Sequence, residues 1–318
     1  MHILVTGGAG FIGSILIDEL LTLGHQVTNI DNFDDFYSKD IKLKNIDNHL
    51  TYTTYQFIEG DITEDALFEK LSQYENIELI IHLAAKAGVR PSIENPPAYF
   101  KTNLTGTINI LEFAKNNNIK KIIFASSSSV YGNNPRVPWQ ENDYQLQPIS
   151  PYAASKIAGE NIGRVYSHLY DIQFTALRFF TVYGPRQRPD LAIHKFFKQI
   201  LNDEPVILFG DGSTKRDYTF IDDIVSGIVS AMEYNTNKFE IFNLGNSQTI
   251  SLIDCIRSIE AVCKKKAILK YIPEQQGDVE QTNADISKSK NNLNYNPKTD
   301  IKKGMEEFYK WFNIINNK

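Results

Sequence analysis

Residues 1–13 read Met1-His-Ile-Leu-Val-Thr-Gly7-Gly-Ala-Gly10-Phe-Ile-Gly13. The apolar residues after Met1 predict a short strand that runs directly into the glycines, and the apolar periodicity of Phe11–Leu23 predicts a helix behind them. A strand, a tight turn and a helix in this order form the context that a dinucleotide-binding glycine motif requires. The spacing of Gly7, Gly10 and Gly13 allows the backbone to approach a pyrophosphate at the positive end of the helix. Because glycines also mark ordinary turns, this motif is only suggestive until other features support it.

A second predicted strand, Gln26–Ile30, ends at Asp31. Asp31 follows Gly13 at about the distance at which a carboxylate binds the adenosine ribose in dinucleotide-binding folds. A carboxylate there would repel a 2′-phosphate, so the sequence favours NAD over NADP. The alternative is that Asp31 is an ordinary turn residue.

The composition excludes several classes of function. The chain has 318 residues, of which 42% are hydrophobic, and a net charge of −5, so it can bury a large core but has no basic field for nucleic acid. Cys255 and Cys263 cannot form a disulfide framework, and neither they nor the scattered histidines show metal-ligand spacing. The strand at the N-terminus leaves no room for a signal peptide, and no apolar run reaches the length of a membrane span. We therefore expect a cytoplasmic protein that binds no metal, nucleic acid or membrane.

The first half of the chain alternates apolar strands with helix-length segments. The strands are near-continuous runs of Val, Ile, Leu and Phe, as expected for a parallel sheet that is covered on both faces. They are predicted at His2–Thr6, Gln26–Asp31, Gln56–Gly60, Leu79–Ala84, Lys121–Ala125 and Phe174–Phe180. Right-handed crossovers between them predict an α/β fold with a doubly wound parallel (Rossmann) sheet.

After Gly184 the pattern changes to shorter, mixed elements. Helices are predicted at Leu191–Leu201, Phe220–Met232, Leu252–Cys263 and Ile301–Ile314, and strands at Val206–Phe209 and Glu240–Leu244. We predict a Rossmann domain over residues 1–184, with return segments from about 215–245, and a smaller mixed C-terminal lobe over residues 185–318. Such a lobe would close over the carboxyl edge of the sheet, where ligands of these sheets bind.

The run Ser150-Pro-Tyr-Ala-Ala-Ser-Lys156 places Tyr152 and Lys156 four residues apart, and a row of serines, Ser126 to Ser129, precedes it. A tyrosine and a lysine at this spacing share one face of a helix. There the ammonium can lower the pKa of the phenol, and a nearby serine hydroxyl can share the proton that the phenolate takes up. The pattern thus suggests a general base acting on an alcohol. The alternative is an exposed pair on an amphipathic helix.

These motifs, in this order along the whole chain, resemble those of the extended short-chain dehydrogenase/reductase family. The further motifs are His82-Leu-Ala-Ala85, Asn103 in Asn-Leu-Thr-Gly-Thr, Ser126-Ser-Ser-Ser-Val-Tyr-Gly132 and Arg216-Asp-Tyr-Thr-Phe-Ile-Asp-Asp223. The resemblance implies bound NAD. The residues it implies for the cofactor site are Gly7, Gly10, Phe11, Ile12, Gly13, Asp31, Asn32, Asp61, Ile62, Leu83, Ala84, Ala85, Asn103, Tyr152 and Lys156.

Within that family the chain most resembles the UDP-glucuronate 4-epimerases. The stretches Ala87–Pro96, Arg178–Asp190 and Gln276–Asp285 carry this resemblance. It implies that Thr181 and Arg188 hold the sugar carboxylate, that Arg216 contacts the diphosphate, and that Ser127 is the catalytic hydroxyl, with a slip of one residue possible. The full set of implied substrate-binding residues is Arg90, Ser127, Ser128, Thr181, Arg186, Arg188, Arg216 and Asp278.

For several of these residues a structural role is the alternative. Arg188 could be a surface arginine in a proline-rich loop, Arg216 could form an ordinary salt bridge with Asp217, and Arg90 could merely order its loop. Two residues also depart from the epimerase pattern. Lys86 replaces a neutral residue and is expected to reach solvent, and Gln276 replaces an expected proline.

Related enzymes with other activities make one absence informative. The similar 4,6-dehydratases carry an Asp-Glu pair within the serine row, and UDP-glucuronate decarboxylases carry a Glu there. In this chain Ser128 and Ser129 occupy those positions, so the acids expected for elimination or for protonation at C5 are missing.

The resemblance implies a reaction at C4 of a UDP-sugar. Tyr152 would take the proton of the 4-hydroxyl while NAD takes the hydride, and the 4-ketosugar would rotate and receive the hydride on its other face. It also implies a homodimer formed through helices near Tyr99–Lys115 and Tyr152–Leu169. The alternatives are a 4-epimerase of UDP-glucose or UDP-N-acetylglucosamine, a UDP-glucuronate decarboxylase, a classical dehydrogenase and a non-catalytic NAD-binding protein.

Overall fold

The computed structural model describes residues 1–74, 76–273 and 279–316. Its strands are β1 (His2–Thr6), β2 (Gln26–Asp31), β3 (Tyr55–Glu59), β4 (Leu79–His82), β5 (Lys121–Ser127), β6 (Gln173–Phe179), β7 (Thr181–Tyr183), β8 (Pro205–Phe209), β9 (Lys215–Phe220), β10 (Phe239–Leu244), β11 (Thr249–Ser251) and β12 (Ile268–Ile272).

The helices complete the list of elements. They are α1 (Phe11–Thr22), α2 (Lys39–Ile46), α3 (Asp65–Leu71), α4 (Val89–Glu94), α5 (Pro96–Phe100), α6 (Gly106–Asn116), α7 (Pro151–Tyr170), α8 (Ala192–Leu201), α9 (Ile221–Glu233), α10 (Leu252–Cys263), α11 (Ser287–Leu293) and α12 (Ile301–Asn316). A π-helical turn, Lys101–Thr105, joins α5 to α6, and short 3₁₀ turns occur at His49–Thr51 and Ser128–Tyr131.

The central sheet has seven strands in the order β10-β6-β5-β4-β1-β2-β3. Every neighbouring pair in it is parallel. The strand order reverses between β1 and β4, and ligands of such sheets bind at the carboxyl ends of the strands beside this point. The predicted doubly wound fold is confirmed.

Alternate residues of the buried strand β1 pack into two separate cores. Ile3 and Val5 belong to the core that contains α1 and α9, whereas Leu4 belongs to the core that contains α6. A strand with both faces covered cannot alternate apolar and polar residues, which explains the continuous apolar runs in the sequence.

Two strand ends differ from the sequence-based expectation. β4 stops at His82, because the amides of Leu83 and Ala84 turn to the carbonyl and hydroxyl oxygens of Thr6 instead of continuing a ladder. β5 runs on to Ser127, two residues past the predicted end, because its serines continue the parallel register with β6. Both ends lie at the carboxyl edge of the sheet.

The C-terminal half adds two small sheets, β11-β9-β7 and β12-β8, while β10 joins the central sheet. The strand β9 was missed because its six residues, Lys-Arg-Asp-Tyr-Thr-Phe, are mostly polar. The domain division at residue 184 stays a prediction. No helix of the described residues combines the length and the apolar character needed to cross a lipid bilayer.

Asp217, in the middle of β9, is a fully buried carboxylate that connects two loops to its strand. Its oxygens accept hydrogen bonds from the backbone amides of Asn246, Ser247 and Ala284 and from the hydroxyl of Thr219. These four donors hold the segments after β10 and before α11 on β9. The side chain therefore organises the C-terminal lobe.

Asp217→Asn is expected to lower the free energy of unfolding by about 2–4 kcal/mol, because the new amide group faces backbone donors that then lack an acceptor. Urea unfolding followed by circular dichroism measures this loss. Asp211→Asn is the matched control, since the exposed Asp211 accepts one loop amide, that of Ser213, at 2.8 Å. Equal stability of the two variants would contradict this account of Asp217.

Candidate active site

A cleft of about 430 Å³ opens at the carboxyl ends of β1, β4 and β5. All of the predicted cofactor residues except Asn103 line it. Of the predicted substrate residues, Ser127, Thr181 and Arg188 line the same cleft. The structure therefore brings these three residues together with the predicted cofactor residues on one surface.

The glycine turn forms one wall of the cleft. Gly7 has a φ of +74°, and a Cβ atom there would lie 2.8 Å from the backbone of Ala84. A Cβ at Gly13 would lie 2.4 Å from the carbonyl oxygen of Gly7. Larger residues are thus excluded at both positions, and the helix α1 begins with its amides directed at the cleft. This cradle fits a pyrophosphate group.

Asp31 ends β2 beside this turn and is buried. Its carboxylate accepts the backbone amides of Ala9 (3.1 Å) and Phe33 (2.9 Å), and Lys42 Nζ lies 3.8 Å away. Burial raises the pKa of Asp31, and the charge of Lys42 opposes that shift. Asp31 therefore orders the turn and also lines the cleft, so the two sequence-based interpretations are compatible.

Asn103 acts from behind the wall of the cleft. Its side chain accepts the amide of Lys86 at 2.8 Å and donates to the carbonyl of Lys86 at 2.9 Å and to the hydroxyl of Ser155 at 2.9 Å. These bonds fix the segment that follows β4. Asn103 thus shapes the cofactor side of the cleft without lining it.

His82, at the end of β4, supports the same segment and was given no role from the sequence. The hydroxyl of Thr107 donates to the carbonyl of Asn103 at 2.6 Å, so it must accept from His82 Nε2 at 3.0 Å. The other nitrogen, Nδ1, then accepts from the hydroxyl of Thr6 at 2.7 Å. Burial, with the charge of Lys156 second, lowers the pKa of His82 to about 3. His82 is therefore a neutral, fixed support.

Tyr152 and Lys156 lie in the first turns of α7, which Ser150 caps by accepting the amide of Ala153 at 3.2 Å. Lys156 is buried, and its ammonium donates to the carbonyl of Ala125 at 2.7 Å. The same ammonium lies 6.0 Å from the centroid of the Tyr152 ring. The pair faces the cleft, so the interpretation as an exposed surface pair is wrong.

The serine row separates into different environments. Ser127 lines the cleft beside Tyr152 and lowers the pKa of its phenol. Its hydroxyl donates to the hydroxyl of Ser129 and accepts the amide of Ser129, both at 3.2 Å. Ser126 donates to Glu160 at 2.5 Å, and Ser128 begins the 3₁₀ turn. Ser127 is thus the serine that the structure places beside Tyr152, as its assignment requires.

The electrostatics of the pair differ from the expectation. Burial raises the pKa of Tyr152, and the hydrogen bond from Ser127 and the charge of Arg188 only partly oppose it. Burial lowers the pKa of Lys156 to about 7, against the charge of Glu160. The prediction that Lys156 lowers the pKa of the Tyr152 phenol is therefore wrong for the groups of the chain alone. Arg188 is the cation that lowers this pKa.

Arg188 lines the cleft and is largely buried. It forms two parallel bonds to Asp190, at 2.9 and 2.7 Å, and packs over the ring of Phe36 at 4.7 Å. The interpretation as a surface arginine is thus wrong. However, the structure pairs its guanidinium with a carboxylate of the chain itself, which the sequence did not suggest.

Two further predicted substrate residues, Arg186 and Arg90, lie outside the lining of the cleft. Arg186 has a φ of +63° and pairs with Asp18 of α1 at 2.8 Å, which anchors the loop that presents Arg188. Arg90 stacks on Phe209 at 4.5 Å and so connects the segment after β4 to β8.

The remaining predicted residues lie outside the cleft lining or outside the described residues, except for Lys86. Arg216 donates to the carbonyl of Lys215 at 2.8 Å and, like Ser128, is outside the cleft lining. Asp278 and Gln276 fall outside the described residues. Lys86 does not extend into solvent as expected, because it lines the cleft and pairs with Asp34 at 2.7 Å.

Residues 4–308 match the family described as GDP-mannose 4,6 dehydratase. The chain belongs to this family of extended short-chain dehydrogenases/reductases. The resemblance that the motifs indicated is thereby confirmed. Within the described ranges, no three His, Cys, Asp or Glu side chains group as metal ligands.

Three individual proteins show which enzymes this chain is similar to. UDP-glucuronate 4-epimerase 3 of Arabidopsis thaliana is 41% identical over 98% of this chain and 76% of its own length. The crystal structure of UDP-glucuronic acid 4-epimerase from Bacillus cereus, in complex with UDP-glucuronic acid and NAD, has a TM-score of 0.93 and 38% identity and covers 99% of this chain and 100% of that chain. UDP-glucose 4-epimerase from Thermotoga maritima, solved with UDP-glucose, has a TM-score of 0.91 and 32% identity, with 99% of each chain covered.

Proposed function

We propose that this protein is an NAD-dependent UDP-glucuronate 4-epimerase, which interconverts UDP-glucuronate and UDP-galacturonate. The observation that carries the proposal is the position of Arg188 in the cleft that holds Tyr152, close enough for its charge to act on the phenol. A cation there suits a sugar acid whose C4 lies at Tyr152. The identity to UDP-glucuronate 4-epimerases supports the same conclusion.

The residues of the cleft fit NAD. The absence of side chains at Gly7 and Gly13 allows the glycine turn to pack against the backbone of Ala84 and against helix α1, and this tight turn suits a pyrophosphate at the start of the helix. Asp31 lines the adenosine end and Lys156 the opposite end, next to Tyr152. When bound, NAD⁺ supplies the hydride acceptor for C4 and the positive charge that favours the phenolate.

The chain's own residues move the proton. Tyr152, as phenolate, takes the proton of the sugar 4-hydroxyl, and Ser127 donates a hydrogen bond to the carbonyl oxygen that forms at C4. Lys156 lines the cleft beside Tyr152 and is held there by the carbonyl of Ala125. After the 4-ketosugar rotates, Tyr152 returns its proton to the oxygen at C4, so neither a proton nor an electron pair is lost.

The serine row restricts the reaction to C4. A 4-keto uronic acid is a β-keto acid, which loses CO₂ readily. Ser128 and Ser129 provide no acid to protonate C5, and an arginine bound to the carboxylate stabilises its charge in the ground state. These features oppose the decarboxylase and dehydratase alternatives.

One observation favours a second candidate, a 4-epimerase of uncharged UDP-hexoses. Arg188 is already neutralised by Asp190, and an uncharged sugar would leave that ion pair intact. A sugar acid must instead share Arg188 with Asp190 or displace it. The similarity to the Thermotoga maritima UDP-glucose 4-epimerase is consistent with this alternative.

Incubation of the purified protein with UDP-glucuronate, without added NAD, tests the proposal. We expect NMR to show UDP-galacturonate, no pentose nucleotide, and only a trace of NADH absorbance. A parallel incubation with UDP-glucose should give much slower turnover. Faster turnover of UDP-glucose would favour the second candidate, and stoichiometric NADH would indicate a dehydrogenase.

Three further inferences from the sequence stay predictions. We expect a homodimer through α6 and α7, and the exposed apolar residues Val165 and Leu169 on α7 support it. We also expect a cytoplasmic location and a domain boundary at residue 184.

A further inference from the structure

Glu160 is a buried carboxylate that has no part in the reaction described above. It lies one turn after Lys156 on α7, and its side chain is 5% exposed. One of its oxygens accepts the hydroxyl of Ser126 at 2.5 Å and Arg178 Nε at 2.8 Å. The other accepts Arg178 Nη2 at 2.7 Å. Both oxygens are thus saturated by fixed partners.

These partners lie directly behind the proposed catalytic residues. Ser126 is flanked by Ala125, whose carbonyl binds Lys156, and by Ser127. Ser126 also pairs in register with Arg178 of the neighbouring strand. Three elements, α7, β5 and β6, therefore meet at the carboxylate of Glu160.

We propose that Glu160 is a positioning residue that fixes the end of β5 against α7. It acts through Ser126 and Arg178, and the result is that Lys156 and Ser127 keep their geometry at the cleft. The inference rests on the proposed epimerase function and adds a positioning residue to its active site.

The charged groups around Lys156 also support a role for Glu160. On α7, Tyr152 and Glu160 lie one turn before and one turn after Lys156. His82 of β4 is neutral, and β5 offers the carbonyl of Ala125. Glu160, which is paired with Arg178 of β6, is the charge that opposes the loss of the Lys156 proton that burial favours.

Ser126→Ala tests the link while leaving the ion pair intact. We expect kcat on UDP-glucuronate to fall about 10-fold to 100-fold with KM unchanged, because small displacements of catalytic groups have effects of this size. The melting temperature should fall by a few degrees, since one buried hydrogen bond is lost. Ser167→Ala is the matched control, since Ser167 is also a buried serine but lies on α7 and donates to the carbonyl of Lys238. The control should keep the wild-type rate.

Glu160→Gln tests the charge. The titration of Lys156, followed by NMR of ¹³C-lysine-labelled protein, should move to lower pH by about one unit or more, and the alkaline limb of kcat should move with it. Glu240→Gln, which removes the charge of the half-buried partner of Lys288, should leave both unchanged. This titration is independent of turnover.

If Glu160→Gln does not fold, the double variant Glu160→Leu, Arg178→Met replaces the ion pair by apolar groups, which buried pairs often tolerate. It should fold and show the lowered kcat. Wild-type kcat in Ser126→Ala and in the foldable Glu160 variant, with an unmoved Lys156 titration, would overturn the proposal. An inactive wild-type protein would instead refute the epimerase function, and the titration would still test Glu160.

Discussion

Tyr152→Phe is expected to lower kcat on UDP-glucuronate by about 10³-fold, within the range usual for loss of a general base. The variant lacks the oxygen that takes the proton of the 4-hydroxyl. Ser127 cannot replace it, because its hydroxyl is far less acidic and also accepts the amide of Ser129. Single-turnover kinetics with UDP-glucuronate measures the effect on the chemical step.

The variant should still bind NAD, since the glycine turn and Asp31 are untouched. Tyr99→Phe is the matched control: the ring of Tyr99 lies 6.2 Å from that of Tyr152, and its hydroxyl donates to Ala87. We expect this control to keep most of its activity. An active Tyr152→Phe variant with full NAD content would show that another group removes the proton.

Arg188→Ala is expected to lower kcat/KM for UDP-glucuronate by about 10²–10³-fold, because hydrogen bonds to charged groups contribute about 1.5–3 kcal/mol each. The loss has a second source, since the carboxylate of Asp190 would remain in the cleft without its partner and repel the substrate. Steady-state kinetics with both UDP-glucuronate and UDP-glucose measures the effect. The ratio of the two substrates isolates the part that depends on the sugar carboxylate.

A double variant separates these two sources. Arg188→Ala with Asp190→Asn removes the repulsion as well as the cation, so it should recover part of the activity on UDP-glucuronate. The pKa of Tyr152 should rise in both variants, because Arg188 lowers it. Unchanged selectivity between the acid and the neutral sugar would contradict the assignment of Arg188.

The sheet was predictable because its strands are buried on both faces. Such strands must be continuously apolar, and all six predicted strands agree with their observed positions to within two residues at each end. The largest differences are at the ends of β4 and β5. The strand β9 could not be found in this way. Its central residue, Asp217, is buried through hydrogen bonds to loops far along the chain, which no local pattern reveals.

The site was predictable where one segment carries the chemistry. The spacing of Tyr152 and Lys156, and that of the glycines, fixes their relative positions within a single turn or helix. Glu160 lies one turn after Lys156, but its partners Ser126 and Arg178 come from other strands, so its role was not found from the sequence. The same limit hid the role of Asp190, whose effect depends on how the loop folds back on Arg188.

The central claim is that C4 loses a hydride and receives the same hydride back on its other face. UDP-glucuronate carrying deuterium at C4, incubated with the protein in ordinary water, tests this most directly. The account predicts that NMR of the UDP-galacturonate formed will show deuterium retained at C4. Replacement of that deuterium by solvent hydrogen, or release of CO₂ in place of the epimer, would contradict it.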